Sequence, residues 1–402
     1  MVSYAGLLSR GFKLADRVLP DSAFRTGCAQ SLIRAAGARP SAFAVEGLEQ
    51  FLASVQAESE LTLFGRLALR WDLRRLLRNA QLVEDAHRAN PALAQAPIRA
   101  PLFILGLPRS GTSFLHDLMA RDPNSQVPRN WQMIYPAPRP ADFSPVGDRR
   151  VRIVDKQLDL FNGLAPGFRA LHPIYAESPQ ECSEITAHVF LSLRFDSTHR
   201  VPSYFNWLET NGHDDAFLFH KKFLQFLQNG RAERWVLKCP DHTFTLESIL
   251  RVYPDARFVI LHRDPIAVLG SVAHLTQVLR QPFLLNIDAG EIGAQVSSRW
   301  IQGANLLLQF DQRADVPSSR KFHMQYEEFT AAPLASIQRI YDYFNEELTG
   351  TATQAMDGQI KAKPRGGYGR HAPYRLETFK LSAAALQSGF LPYVQQYCQP
   401  VR

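Results

Sequence analysis

Cysteine is scarce in this sequence: Cys28, Cys182, Cys239 and Cys398 are scattered over 402 residues, and none belongs to a C-x-x-C pair or to metal-ligand spacing. That removes a disulfide scaffold and a zinc module, and makes a reducing, cytoplasmic compartment the expectation. Long apolar runs are missing too. A bilayer span needs ~20 apolar residues, and the longest candidates here, such as Pro101 to Leu107, are strand-sized. Arg10, Lys13 and Arg17 interrupt what would be the hydrophobic stretch of a secretory signal, so secretion is not expected. Glycine and proline number only 23 and 26 beside 46% hydrophobic residues, which excludes a collagenous, low-complexity or disordered chain. No repeat of fixed period is present. What remains is an ordinary globular protein with 45 basic against 38 acidic residues, a net charge of +7. The excess favours anionic ligands or surfaces, but no basic stripe or nucleic-acid module accompanies it, so nucleic acid is not an expected partner.

Apolar residues recur at helical spacing through residues 1 to about 95, as in Leu61, Phe64, Leu67, Leu69, Leu73 and Leu76, which predicts a helical N-terminal region. Within it, Tyr4, Leu7, Leu8, Phe12, Ala15 and Leu19 alternate with basic residues. That pattern suits a helix packed on its own domain, and also an interfacial helix giving residues 1–20 a peripheral membrane contact. From residue 96 the pattern changes. Pro101–Gly106 reads as a buried strand entering a glycine turn, with helix character over 114–121. Further strands are expected at Trp235–Lys238, at Arg257–His262 with a helix from Ile266 to about Leu279, and at Lys321–Tyr326 with a helix running through Phe344. Strand and helix alternate, so the expected fold is α/β, with a central parallel sheet flanked by helices over 96–402. Residues 122–234, rich in proline, aromatics and histidine, interrupt the alternation where substrate-specific structure would be inserted.

The loop Gly106-Leu-Pro-Arg-Ser-Gly111-Thr112-Ser113 has the two glycines and final hydroxyl of G-x-x-x-x-G-K-[ST], but Thr112 stands where the lysine should be. Between a strand and a helix, such a loop aims backbone N–H groups and a helix N-terminus at an anion. Arg109 could supply the missing charge. Without the lysine, a magnesium-bound nucleoside triphosphate is disfavoured.

Pro108-Arg-Ser-Gly-Thr-Ser-Phe114 resembles the 5′-phosphosulfate loop of sulfotransferases that use 3′-phosphoadenosine 5′-phosphosulfate, PAPS. His262-Arg263-Asp264-Pro265 followed by Ser271 is similar to that family's 3′-phosphate motif, and eight positions are just over two helical turns. Trp235 to His242, Tyr253 to Phe258, Gln325-Tyr326-Glu327 and His371 to Leu381 resemble its bacterial branch. The resemblance implies a P-loop-like sulfotransferase fold and in-line transfer of a sulfuryl group from PAPS to a hydroxyl, less readily an amine, without a metal. It implies that Arg109 meets the leaving phosphate, that Ser110, Gly111, Thr112 and Ser113 cradle the 5′-phosphate, and that Arg263 and Ser271 hold the 3′-phosphate. Phe114 matches a residue that stacks on adenine, and Tyr326 a nucleotide contact; core packing is the competing role for both.

Lys238, at a strand end, resembles a family lysine that touches the sulfuryl or bridging oxygen; His242 is either a site histidine or a packing residue. Glu181 matches the second carboxylate of a Pro-Glu-Glu stretch whose members are candidate bases, with Gln180 in the first position. Glu177 and Glu184 are alternatives able to share a helix face with it. Lys361 to Arg370 occupies the region where animal family members carry an Arg-Lys-Gly motif over the 3′-phosphate; Lys363, Arg365 and Gly366 are either a lid that orders on nucleotide binding or a solvated basic loop. Aromatic residues such as Trp131, Tyr135, Phe161, Phe168, Tyr175 and Phe190 suit a hydrophobic small-molecule or lipid acceptor. Two other readings stay open: a P-loop-type kinase, and a non-catalytic nucleotide-binding, membrane-associated protein.

Overall fold

The computed structural model describes residue 12 and residues 26–138, 147–228, 234–363 and 374–398. The helices used below are α1 (Ala29–Ala36), α2 (Ala42–Glu58), α3 (Leu63–Ala89), α4 (Thr112–Met119), α5 (Asp214–Gln228), α6 (Pro265–Arg280), α7 (Ala289–Asp311) and α8 (Ala383–Tyr397). The strands are β1 (Leu102–Gly106), β2 (Ser125–Gln126), β3 (Arg234–Lys238), β4 (Arg257–His262) and β5 (Lys321–Gln325). The chain divides into two compact units, one of residues 1–97, 128–232 and 276–287, the other of 98–127, 233–275 and 288–402. No helix among the described residues is long and apolar enough to cross a membrane.

The first unit is helical. Ser41 and Thr62 cap α2 and α3 by accepting from the backbone N–H of Ala44 and Gly65, which fixes where each helix starts. Along α3, Leu69, Leu73, Leu76 and Val83 recur every three to seven residues and are buried, while Leu67 and Trp71 fall off that face and are 36% and 45% exposed. The same helix carries charge inward. Arg75 bonds Asp72 (2.6 Å) and Glu184 (2.5 Å), and Arg194 bonds the second oxygens of both (2.5 and 2.6 Å), closing a ring of two carboxylates and two guanidiniums. Burial alone would raise the Asp72 carboxyl, but the charges of Arg194 and Arg75 outweigh it and hold that group well below the usual carboxylate range.

The second unit is built on a five-stranded sheet in the order β2-β3-β1-β4-β5, with every pairing parallel. Strands β1 and β4 are buried along almost their whole length, as a sheet covered on both faces requires. One face packs Leu102, Ile104, Val236, Val259 and Leu261 against Leu115, Leu118, Phe329 and Ile340. The two-residue strand β2 has no sequence signal; it forms where Ser125 and Gln126 register with Arg234 and Trp235. The helix expected through Phe344 is two helices, Tyr326–Ala331 and Pro333–Tyr343, because Pro333 cannot continue the first.

Candidate active site

Four adjacent strands deliver the site of the second unit from their C-terminal ends. Strand β3 ends on Lys238, β1 runs into the loop 106–111, β4 is followed by Arg263, and β5 by Tyr326. The register sets them side by side: Ile104 pairs with Lys238, Gly106 with Leu261, and His262 with Gln325. Ligands of parallel sheets bind at this edge.

The loop turns on two glycines. Gly106 has φ +145°, and a Cβ there would lie 2.6 Å from the Leu261 carbonyl oxygen; Gly111, at φ +90°, would set a Cβ 3.0 Å from the Tyr326 ring. Between them Arg109 holds φ +69°, a conformation that costs a residue with a side chain about 1–2 kcal/mol. Ser110 is buried, its hydroxyl donating to the Leu107 carbonyl at 2.7 Å. Helix α4 starts at Thr112, two residues ahead of the start read from the sequence, because the left-handed Gly111 turns the chain directly into it. No side chain caps that first turn.

Around this loop the expected cations gather. Arg263 Nη1 donates to the Arg109 carbonyl at 2.7 Å, and its guanidinium lies 3.8 Å over the Tyr326 ring. Lys238 Nζ donates to Ser113 Oγ at 3.0 Å, although the residue is only 3% exposed. Asp264 accepts from the Ile266 N–H at 2.9 Å and Pro265 opens α6, so Asp-Pro starts the helix that carries the half-buried Ser271. Two basic side chains placed against a loop that itself carries Arg109, together with a helix N-terminus, suit an anion with more than one charged group.

The remaining expected residues are placed differently. Phe114 is buried, 5.2 Å from the Phe329 ring, within the core under the sheet. His242 is buried on the short turn Pro240–Phe244, edge-on to Phe103 at 5.0 Å. Glu181 belongs to the first unit and is half-buried, with its N–H bonded to Gln180 Oε1 at 2.7 Å. Glu177, Glu181 and Glu184 do not share a helix face: Pro179 bridges Arg129, and Gln180 donates to the Pro128 carbonyl at 2.7 Å, so the stretch is extended until the single turn Ser183–Thr186. Glu184 is committed to Arg75 and Arg194, which takes it out of the set of candidate bases. Arg365 and Gly366, and the amphipathic segment apart from Phe12, lie outside the described residues; Lys363 ends a helix at their edge.

One residue was missed from the sequence. Tyr374 stacks on His274 of α6 at 4.7 Å; burial raises its phenol pKa, and the charge of Arg109 works against that rise. The stretch His371 to Leu381 that contains it stands out by resemblance, but nothing in that stretch distinguishes this tyrosine from its neighbours.

The family model described as "Sulfotransferase family" matches residues 101–350, the stretch that contains all five strands. The structure resembles the crystal structure of sulfotransferase STF9 from Mycobacterium avium, with a TM-score of 0.84 and 26% identity over 93% of this chain and 96% of that one. It also resembles sulfotransferase STF1 from Mycobacterium tuberculosis H37Rv, with a TM-score of 0.78 and 27% identity over 91% and 97% of the two chains. A curated relative, the omega-hydroxy-beta-dihydromenaquinone-9 sulfotransferase Stf3 of Mycobacterium bovis, is 25% identical over 262 residues, 60% of this chain. The aligned stretch spans 62% of that relative's length. With a glycine loop after β1, an arginine after β4 and a family match that runs across the whole sheet, the chain belongs to the sulfotransferase family.

Proposed function

We propose that this protein transfers a sulfuryl group from PAPS to a hydroxyl of a hydrophobic acceptor. The observation that carries the reading is the convergence of Lys238, Arg109 and Arg263 from three neighbouring strand ends on one loop. The donor set fits a nucleotide phosphorylated at both ends. Ser110, Gly111, Thr112 and Ser113 would receive the 5′-phosphate through backbone N–H groups and the positive end of α4. Arg263 and Ser271 would hold the 3′-phosphate, with Tyr326 supporting the guanidinium from below. When bound, the nucleotide would supply an activated sulfuryl group on a good leaving phosphate. Arg109 and Lys238 then stabilise charge that grows on the transferred and leaving oxygens, so positioning and electrostatics do the work. Phe114 supports α4 from the core. For the acceptor proton we propose Glu181, on the resemblance of its segment to the carboxylate stretch of the bacterial branch.

An apolar acceptor is supported by the name of the relative Stf3, which specifies a hydroxylated menaquinone derivative, and by the aromatic content of residues 122–234, to which we assign acceptor binding. We propose a cytoplasmic protein that meets such an acceptor at the membrane surface through residues 1–20, and a lid at 361–371. Flotation with liposomes should fall on deletion of residues 1–20; equal flotation removes the membrane contact.

Titration calorimetry tests the main reading. Adenosine 3′,5′-bisphosphate should bind more tightly than magnesium ATP, and Arg263→Ala should weaken it by about 10-fold or more, the worth of a charge-assisted contact. Preferential ATP binding, or no effect of the substitution, would overturn the reading in favour of a kinase.

A further inference from the structure

The two residues that form the Arg263–Tyr326 stack are each preceded by a residue bonded away from the loop. His262, the last residue of β4, is 1% exposed. Its Nδ1 lies 2.9 Å from the Tyr393 hydroxyl and its Nε2 2.8 Å from His323 Nδ1. His323 Nε2 in turn meets Asp311 Oδ1 at 3.1 Å, and Tyr397 donates to Asp311 Oδ2 at 2.8 Å. Tyr397 stacks on the His262 ring with centroids 3.9 Å apart and planes 9° from parallel. Gln325, the last residue of β5, donates to the Tyr397 carbonyl at 2.7 Å. Tyr393 and Tyr397 both belong to α8, and Asp311 ends α7.

These contacts fix the protons. The Asp311 carboxylate only accepts, so His323 Nε2 carries a hydrogen and its Nδ1 accepts. His262 Nε2 must then donate, which leaves its Nδ1 to accept from Tyr393. With both histidines neutral, every group in the row is satisfied by one arrangement. Burial, with His323 adding to it, holds the His262 pKa down at about 3, and burial lowers His323 as well despite Asp311. A second proton on His323 Nδ1 would face the His262 Nε2–H, and one on His262 Nδ1 would displace the hydrogen bond it accepts from Tyr393.

His262 and Gln325 are the last residues of their strands and each is bonded through the backbone to a member of the stack, so a strand end locked by its side chain fixes where Arg263 and Tyr326 begin. We propose that His262 and Gln325, anchored on α8 and α7 through His323, Tyr393 and Tyr397, are positioning residues that hold the Arg263–Tyr326 stack over the loop. The C-terminal helix is thereby part of the support of the nucleotide site. The inference rests on the sulfotransferase reading for what the stack binds.

The test compares wild type with His262→Phe, which keeps a ring beneath Tyr397 but loses both hydrogen bonds, and Tyr393→Phe, which removes one hydroxyl. Titration calorimetry of the full chain measures affinity for adenosine 3′,5′-bisphosphate and for adenosine 5′-phosphate, with thermal unfolding as the folding check. The preference for the bisphosphate should fall about tenfold in His262→Phe and two- to threefold in Tyr393→Phe, the loss of one well-aimed contact. Affinity for the monophosphate should stay within about twofold, and KM for PAPS should rise while kcat at saturation is kept. His262→Gln, which retains a donor and an acceptor, should fall between His262→Phe and wild type. Folded variants with the wild-type preference overturn the positioning role. A wild type without the preference overturns the sulfotransferase reading itself, and the inference with it. Should His262→Phe not fold, Tyr393→Phe decides alone.

Discussion

Lys238 Nζ donates to Ser113 Oγ at 3.0 Å, joining the last residue of β3 to the first turn of α4. A lysine 3% exposed carries a desolvation cost that a leucine there would avoid, and the proposed transfer gives its charge a use at the transferred group. Lys238→Ala should lower kcat by about 10²- to 10³-fold, as the loss of one transition-state donor does. Affinity for adenosine 3′,5′-bisphosphate, which lacks the sulfuryl group, should stay within about threefold. A transfer assay at saturating PAPS checks this; an unchanged kcat with a raised KM would assign Lys238 to ground-state binding instead.

Arg109 combines a charge with a left-handed backbone. Glycine adopts that conformation without strain, so Arg109→Gly should raise unfolding stability by up to about 1 kcal/mol while reducing turnover at least about 100-fold. Denaturant unfolding and the transfer assay together read the trade. A variant that is less stable and still active would show that the arginine serves the loop's structure alone.

The sheet and most of the cation set were legible in the sequence because both leave local signals. A buried parallel strand is a short apolar run, and Gly106, Gly111 and Asp264-Pro265 mark the turns that follow β1 and β4. Lys238 stood out as a charge ending such a run. What the sequence hid depends on distant partners. β2 exists only through its pairing with β3, and Glu184 is claimed by arginines from α3 and from residue 194. His262 and His323 are 61 positions apart and meet only because β4 pairs with β5. Ser178-Pro179 did argue against a helix running from Glu177 to Glu184, but the bridge of Pro179 to Arg129 that holds the run extended depends on a residue 50 positions away.

Acid should unfold this protein earlier than its carboxylates alone require. Burial holds His188 and His220 at about 3 and His199 at about 4, and His262 likewise at about 3. In the unfolded chain each returns to about 6.5. The unfolded state therefore binds more protons between these limits, and stability present above pH 6.5 is lost as pH falls toward 4. Each histidine contributes about 1.4 kcal/mol per pH unit in that window. Unfolding midpoints measured from pH 7.5 to 4.5 should fall steeply below pH 6.5, and His220→Phe, which replaces one buried imidazole, should flatten the slope. A flat profile between pH 6.5 and 5 would show that these groups take up protons equally in both states.

The ring of Asp72, Arg75, Glu184 and Arg194 predicts a different failure. Each carboxylate faces both guanidiniums, so removing one leaves the buried Arg75 and the half-buried Arg194 sharing a single counter-charge. Glu184→Ala should cost about 3–5 kcal/mol, since a broken buried pair leaves its partner uncompensated. The ring is screened little by salt, so the loss should be nearly the same at 0.05 and 0.5 M sodium chloride. Arg194→Met in the same chain should restore part of the loss, because it removes one of the stranded charges. Denaturant unfolding of the two single variants and the double variant checks the coupling. Additive losses would mean that the four groups act independently and that Glu184 is held for another purpose than the fold of the first unit.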